Sequence, residues 1–247
     1  MLGVLPARWG SSRFPGKPLH VIAGKPLIQH VWERCKQAKL LEELVVATDD
    51  ERIAQAVSSF GGKAVMTSID HPTGTDRLAE AISFFPQATH VINIQGDEPL
   101  IDIKLIDEIG AALLTDSKWQ MVTAANPMAV DDPDVLDPNV VKVVMGLDGR
   151  ALYFSRSAIP FSRQQPDGLT VFRHKGIYGY RRAFLEQFIK WQPTALECAE
   201  SLEQLRALEH GAQIKVLTTL DTSPGVDTLE QAQAVELLLQ SSTHFSS

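Results

Sequence analysis

The sequence predicts a three-layer, doubly wound α/β fold with a mostly parallel sheet and an inserted section in its second half. Three observations carry this. Short apolar runs alternate with segments of helical spacing from residue 2 to about residue 125. Loops rich in Gly, Pro and Ser leave the ends of those runs, where open α/β sheets bind their ligands. Near Asn126 the alternation stops and a hairpin pattern takes over.

Leu2 to Leu5 is a continuous apolar run and reads as a buried first strand. Pro26 to Lys39 has helical spacing: Leu27, Ile28, Val31, Trp32 and Cys35 share a face, and Pro26 suits a first turn. Leu44 to Thr48 is a second strand ending in Asp49-Asp50, and Glu51 to Phe60 is a short helix stopped by Gly61-Gly62. Ala64 to Met66 is a third strand, followed by a polar loop, Thr67 to Thr75, and a helix from about Asp76 to Phe85. His90 to Gln95 is the fourth strand, Ile101 to Leu114 a helix, and Gln120 to Ala125 the fifth strand. Beyond the break, Val140 to Met145 and Ala151 to Ser155 pair as a hairpin around Gly146 to Gly149. A strand at Gly176 to Tyr180, helices at about Ala183 to Trp191 and Glu197 to Glu209, a strand at Ile214 to Leu217 and a helix at Leu229 to Leu239 complete the chain. No linker divides it. The sequence therefore predicts one domain over residues 1–247, with an inserted section at about 126–175.

Composition narrows the function. Of 247 residues, 44% are hydrophobic and 21% charged, enough apolar matter for a real core. The net charge of -7 provides no general attraction for nucleic acid or an anionic membrane, so an anionic substrate must be met by locally placed cations. Cys35 and Cys198 form no CxxC, and no apolar run is long enough to span a bilayer. A soluble protein in the reducing cytoplasm is expected. The seven histidines make no HxxxH or Cys/His cluster, which argues against structural zinc. The absence of GxGxxG and of G-x-S-x-G argues against a Rossmann dehydrogenase and an α/β-hydrolase.

The chemistry concentrates in the loops. The first carries three cations, Arg8, Arg13 and Lys17, among Gly10, Gly16, Pro15 and Pro18. Cations with free backbone N–H groups at a strand end suit a polyphosphate, whereas a solvated basic loop is the plain structural alternative. It is not a Walker A loop, since Pro18 stands where a magnesium-binding Ser or Thr would be. Gly96-Asp97-Glu98-Pro99 follows the fourth strand and makes Asp97 the first candidate magnesium ligand, with a helix-capping Asp as the alternative. Asp227 offers a second carboxylate just before a helical pattern, where an N-cap would also explain it. Asp49 also ends a strand and reads as the cap of the second helix, with a magnesium ligand as the alternative. His71-Pro72-Thr73-Gly74-Thr75-Asp76-Arg77 suits hydrogen bonds to a nucleobase edge, with Thr75 as an N-cap in the alternative reading. Together these features fit nucleotidyl transfer from an NTP and leave the acceptor open.

Longer motifs carry a resemblance. Leu5-Pro6-Ala7-Arg8, Ser12-Arg13-Phe14-Pro15-Gly16-Lys17-Pro18-Leu19, Ala47-Thr48-Asp49, Gly74-Thr75-Asp76-Arg77 and Gln95-Gly96-Asp97-Glu98-Pro99 resemble the 3-deoxy-manno-octulosonate (Kdo) cytidylyltransferases. So do Ala151 to Arg156, His174 to Tyr180, Leu202 to Arg206 and Gly225 to Thr228. The likeness runs from Leu5 to about Glu230. One departure is Pro72-Thr73-Gly74-Thr75, where the family usually has Gln before Ser-Gly-Thr.

The resemblance implies a nucleotide-diphospho-sugar transferase-like fold and a homodimer joined through the inserted section. It implies the reaction of CTP with Kdo to give CMP-Kdo and diphosphate, with magnesium, in the cytoplasm, feeding lipopolysaccharide synthesis. An 8-amino Kdo analogue or a sialic acid is the nearest rival substrate; a dehydrogenase or a nucleotide sensor is a more remote one. Ala7, Arg8, Ser11, Arg13, Lys17, Thr73, Gly74, Thr75, Arg77 and Gln95 are the implied CTP-binding residues. Arg156, His174, Tyr178, Glu203 and Gln204 are implied to face the sugar acid. Arg13, Lys17, Asp97 and Asp227 form the implied catalytic set, with Asp97 and Asp227 as magnesium ligands.

Overall fold

A computed structural model describes residues 1–10, 14–164 and 168–243. In chain order the elements are β1 (Leu2–Ala7), β2 (Val21–Ile22), β3 (Lys25–Pro26), α1 (Leu27–Cys35), β4 (Glu43–Thr48), α2 (Glu51–Ser59), β5 (Ala64–Met66), α3 (Gly74–Ser83) and β6 (His90–Asn93). Then come α4 (Ile103–Thr115), β7 (Met121–Met128), β8 (Lys142–Met145), β9 (Ala151–Ser155), β10 (Val171–Arg181), α5 (Arg182–Phe188), α6 (Ala195–Glu200), α7 (Gln204–Glu209), β11 (Ile214–Thr218) and α8 (Leu229–Thr243). The mostly parallel sheet with flanking helices is as the sequence predicts. The chain forms two compact units, one of Met1–Asp107 with Thr222–Ser247, the other of Glu108–Asp221.

The first unit holds a parallel sheet in the order β6-β1-β4-β5. Its central strands are apolar along their length because both faces are covered: Leu2, Val4, Leu5, Val45, Val46 and Ala47 are all buried. The chain steps from β1 to β4 to β5 in one direction and then returns to set β6 on the other side of β1. The strand order thus reverses between β1 and β6, and the crevice beyond a reversal is where such sheets bind ligands. Gly96, just past β6, is needed there, since a Cβ would lie 2.8 Å from the Pro6 carbonyl oxygen.

Two helix caps differ from expectation by one or two residues. Asp50, not Asp49, caps α2 by accepting from the Arg52 N–H. Thr73, not Thr75, caps α3 by accepting from the Asp76 N–H. Helix α1 ends at Cys35 rather than Lys39, because Gln37 and Ala38 donate three residues back and tighten the last turn.

In the second unit β7 pairs antiparallel with β10 and parallel with β11. The expected hairpin is β8–β9, and β8 also meets β10 at Lys142 and Arg173. Strand β10 begins five residues before the expected Gly176, at Val171, because a bulge between Lys175 and Tyr178 lets pairing with β7 continue on both sides. The helix expected over Glu197 to Glu209 is two helices, broken at Ser201, whose φ is 52°.

Candidate functional site

The loops singled out in the sequence meet in the first unit. A cleft of about 420 Å³ at the β1/β6 reversal is lined by Pro6, Ala7, Arg8 and Gly10, by Lys17 and Pro18, by Pro72, Thr73 and Gly74, and by Gln95, Gly96 and Asp97. The basic loop is closed by a hydrogen bond from the Gly16 N–H to the Trp9 carbonyl, 3.0 Å. Gly16 has φ 71°, and a Cβ there would come within 3.0 Å of the Trp9 ring, so glycine is required on two counts. Ser11 and Arg13 lie outside the described residues.

Lys17 starts a 3-10 turn, Lys17–Leu19, and its ammonium donates to Asp97 Oδ2 at 2.6 Å and to Asp227 Oδ1 at 3.0 Å. The carboxylates are 130 positions apart in sequence. A backbone bond joins their segments: the Val226 N–H donates to the Asp97 carbonyl at 2.8 Å. The capping alternatives for both aspartates fail. Asp102 accepts from the Lys104 N–H at the start of α4. At α8, Thr228 Oγ1 accepts from the Gln231 N–H at 3.3 Å, while Gln231 Oε1 accepts from the N–H groups of Thr228 and Asp227. That is a capping box, and it leaves the Asp227 carboxylate directed at Lys17. Burial works to lower the Lys17 pKa, but attraction and hydrogen bonds from Asp97 and then Asp227 outweigh it, so the pKa is raised above its ordinary value. Lys17 is a cation at any physiological pH.

These residues fit magnesium. Two carboxylate oxygens reach one point, now held by an ammonium, beside a cleft walled by backbone and cations. Magnesium takes one or two protein carboxylates and completes its sphere with water and phosphate oxygens. Among the described residues there is no cluster of three or more His, Cys, Asp or Glu, so a site built wholly from protein ligands is not formed.

Two expected CTP contacts do not line the cleft. Arg77 is fully buried, with its guanidinium donating to Asp49 Oδ2 and Thr67 Oγ1, each at 2.5 Å. Thr75 is buried in the first turn of α3. Arg77 and Asp49 are a part-buried ion pair joining the loop after β4 to α3.

In the second unit, β10 carries His174 and Tyr178 with ring centroids 5.3 Å apart, and Phe154 from β9 meets His174 edge-on at 5.2 Å. Burial pulls the His174 imidazole down from 6.5 to about 3, so it is neutral at physiological pH. The Tyr178 hydroxyl is buried and makes no hydrogen bond among the described residues; burial, then the nearby Tyr180 and Glu203 charges, push its pKa up. Arg156 donates from Nε to the Glu200 carbonyl at 2.7 Å and from its terminal nitrogens to the carbonyls of Pro138 and Ser201. Glu200 in turn accepts from the Arg156 N–H and from Ser155. Glu203 precedes α7, and Gln204 is buried in its first turn.

The family model for cytidylyltransferases matches residues 2–214. A 3-deoxy-manno-octulosonate cytidylyltransferase of Geobacter sulfurreducens is 52% identical over 242 residues, covering 94% of this chain and 96% of that one. The chain belongs to the 3-deoxy-manno-octulosonate cytidylyltransferase family. A relative of the same name from Pseudomonas fluorescens is 48% identical over 248 residues, covering 96% and 97% of the two chains. The solved structure of a CMP:2-keto-3-deoxy-manno-octonic acid synthetase complexed with CTP superposes with a TM-score of 0.93 at 42% identity, covering 98% of each chain.

Within this cytidylyltransferase, sequence reasoning missed the two supports of its second unit. Glu200 holds the backbone at Arg156, and Thr123 on β7 touches His174. Thr123 sits in a plain strand run with no sequence signal of its own. Only the bulge in β10 reveals its place.

Proposed function

We propose that this cytidylyltransferase joins CTP to 3-deoxy-D-manno-octulosonate, giving CMP-Kdo and diphosphate, the activated sugar for lipopolysaccharide synthesis. The single observation that carries the reading is Lys17 seated between Asp97 and Asp227 beside the β1/β6 cleft, in a chain that belongs to this family. Arg8 and Lys17, with Arg13 from the same loop, meet the triphosphate. The sugar's anomeric oxygen bonds to the α-phosphorus as the bond to the diphosphate oxygen breaks, and the proton of that hydroxyl leaves to solvent. Lys17 and Arg13 stabilise the charge that builds on the departing diphosphate. Asp97 and Asp227 would hold magnesium, which when bound neutralises the α-phosphate and acidifies the attacking hydroxyl.

We take Arg156, His174, Tyr178, Glu203 and Gln204 to meet the sugar acid. A guanidinium has five N–H donors. In Arg156 three of them point at backbone carbonyls, which leaves one on each terminal nitrogen for a two-pronged bond to the carboxylate. The buried Tyr178 hydroxyl is matched by a sugar hydroxyl. We place the reaction in the cytoplasm, where CTP is available, and propose a homodimer joined through residues 126–175. Diphosphate release with CTP and a panel of acids tests the substrate: Kdo should be turned over best. Equal or better turnover of 8-amino-Kdo or of a sialic acid would reassign it.

A further inference from the structure

Thr123 lies on β7 opposite the bulge of β10 and is fully buried. Its hydroxyl oxygen has three neighbours at hydrogen-bond distance: the Ile177 carbonyl at 2.8 Å, the Lys175 carbonyl at 3.1 Å, and His174 Nε2 at 3.0 Å. A hydroxyl has one proton. Two oxygens 2.8 Å apart need a proton between them, and neither carbonyl can supply one, so Thr123 must donate toward the bulge. It then has only lone pairs to offer His174, and the ring nitrogen facing it must be the N–H. His174 is neutral, so its single proton sits on Nε2 and Nδ1 is bare. Nδ1 makes no hydrogen bond among the described residues, while Phe154 and Tyr178 pack against the ring and hold its plane.

We infer that Thr123 is a positioning residue that fixes His174 in its Nε2–H tautomer and so presents Nδ1 as an acceptor for a hydroxyl of the sugar acid. The second half of this inference rests on the proposed placement of the sugar acid at His174; the tautomer does not. The bulge is what makes the device. A regular strand pair would direct these two carbonyls along the ladder, whereas here both converge on one side chain and leave it no proton for the imidazole. A sugar hydroxyl is thereby selected over a group that can only accept, because two facing acceptors have no proton to share.

Nitrogen NMR of His174 tests this. The wild-type protein should show Nε2 protonated and Nδ1 bare across neutral pH; an Nδ1–H signature would overturn the inference. Thr123→Val keeps the shape and removes the hydroxyl, and it should yield a mixture of tautomers. The same variant should raise the KM for Kdo about tenfold, the loss of one well-placed hydrogen bond, with the KM for CTP unchanged. Thr123→Ser should restore both readouts. A single Nε2–H tautomer in Thr123→Val would show that Thr123 does not set it, and if that variant does not fold, Thr123→Ala, which also lacks the hydroxyl, serves the same test. An unchanged Kdo KM in His174→Ala would instead overturn the placement of the sugar while leaving the tautomer result standing.

Discussion

Lys17 neutralises two carboxylates that would otherwise repel each other and an incoming triphosphate. In the proposed function it competes with magnesium for Asp97 and Asp227 while the nucleotide is absent and pairs with the phosphates once the nucleotide arrives. Lys17→Ala should lower kcat/KM for CTP by roughly a hundredfold or more, the usual effect of losing one charged transition-state contact. The same variant should bind manganese more tightly than wild type in the absence of CTP. Electron paramagnetic resonance of a manganese titration reads this directly, and weaker binding by the variant would show that Lys17 does not occupy the metal's place. A second residue-scale prediction concerns pH. The unfolded chain binds a proton at His174 near 6.5 and the folded chain only near 3, so the stability of the neutral, buried ring is complete above the higher value and is lost as pH falls toward the lower. His174→Gln cannot titrate. Its urea midpoint should fall less than that of the wild type between about pH 7 and about pH 4.5. An identical loss in both proteins would rule His174 out as the source.

The elements that carry the site were legible where one short motif made them. The β1 loop and the β6 turn could be read from the sequence because strand, glycine and charge coincide there. The caps could not be placed as well: Asp49 and Asp50 are adjacent acids, and only geometry shows that Asp50 turns to the helix while Asp49 turns to Arg77. The bulge in β10 and the break at Ser201 escaped for a related reason, since each depends on pairing with segments remote in sequence. The start of α8 offers a clean separation of roles. Thr228→Ala should cost about 1 kcal/mol, the typical worth of a cap, with turnover retained. Asp227→Asn should do the reverse, because Asn matches its shape and a neutral amide is a poor magnesium ligand: melting temperature nearly unchanged, turnover nearly abolished. Near-normal activity in Asp227→Asn would return Asp227 to a structural role.

At the scale of the whole molecule, the net charge of -7 means that the binding of a polyanion depends on a few cations placed by one loop rather than on the average surface. Leu136, Leu147, Leu152 and Phe161 are large apolar side chains exposed within the section that breaks the βαβ rhythm. A two-fold, self-complementary contact would cover such groups, and light scattering at micromolar concentration should return the mass of a dimer. A monomer mass would remove the inserted section from that role. No helix among the described residues is long and apolar enough to cross a membrane. Phosphorus NMR of the protein with magnesium, CTP and Kdo follows the transfer itself. The α-phosphorus of CTP should move into a sugar phosphodiester with one diphosphate released for each, and neither signal should appear without Kdo. Diphosphate release without the phosphodiester, or CTP left unchanged, would contradict it.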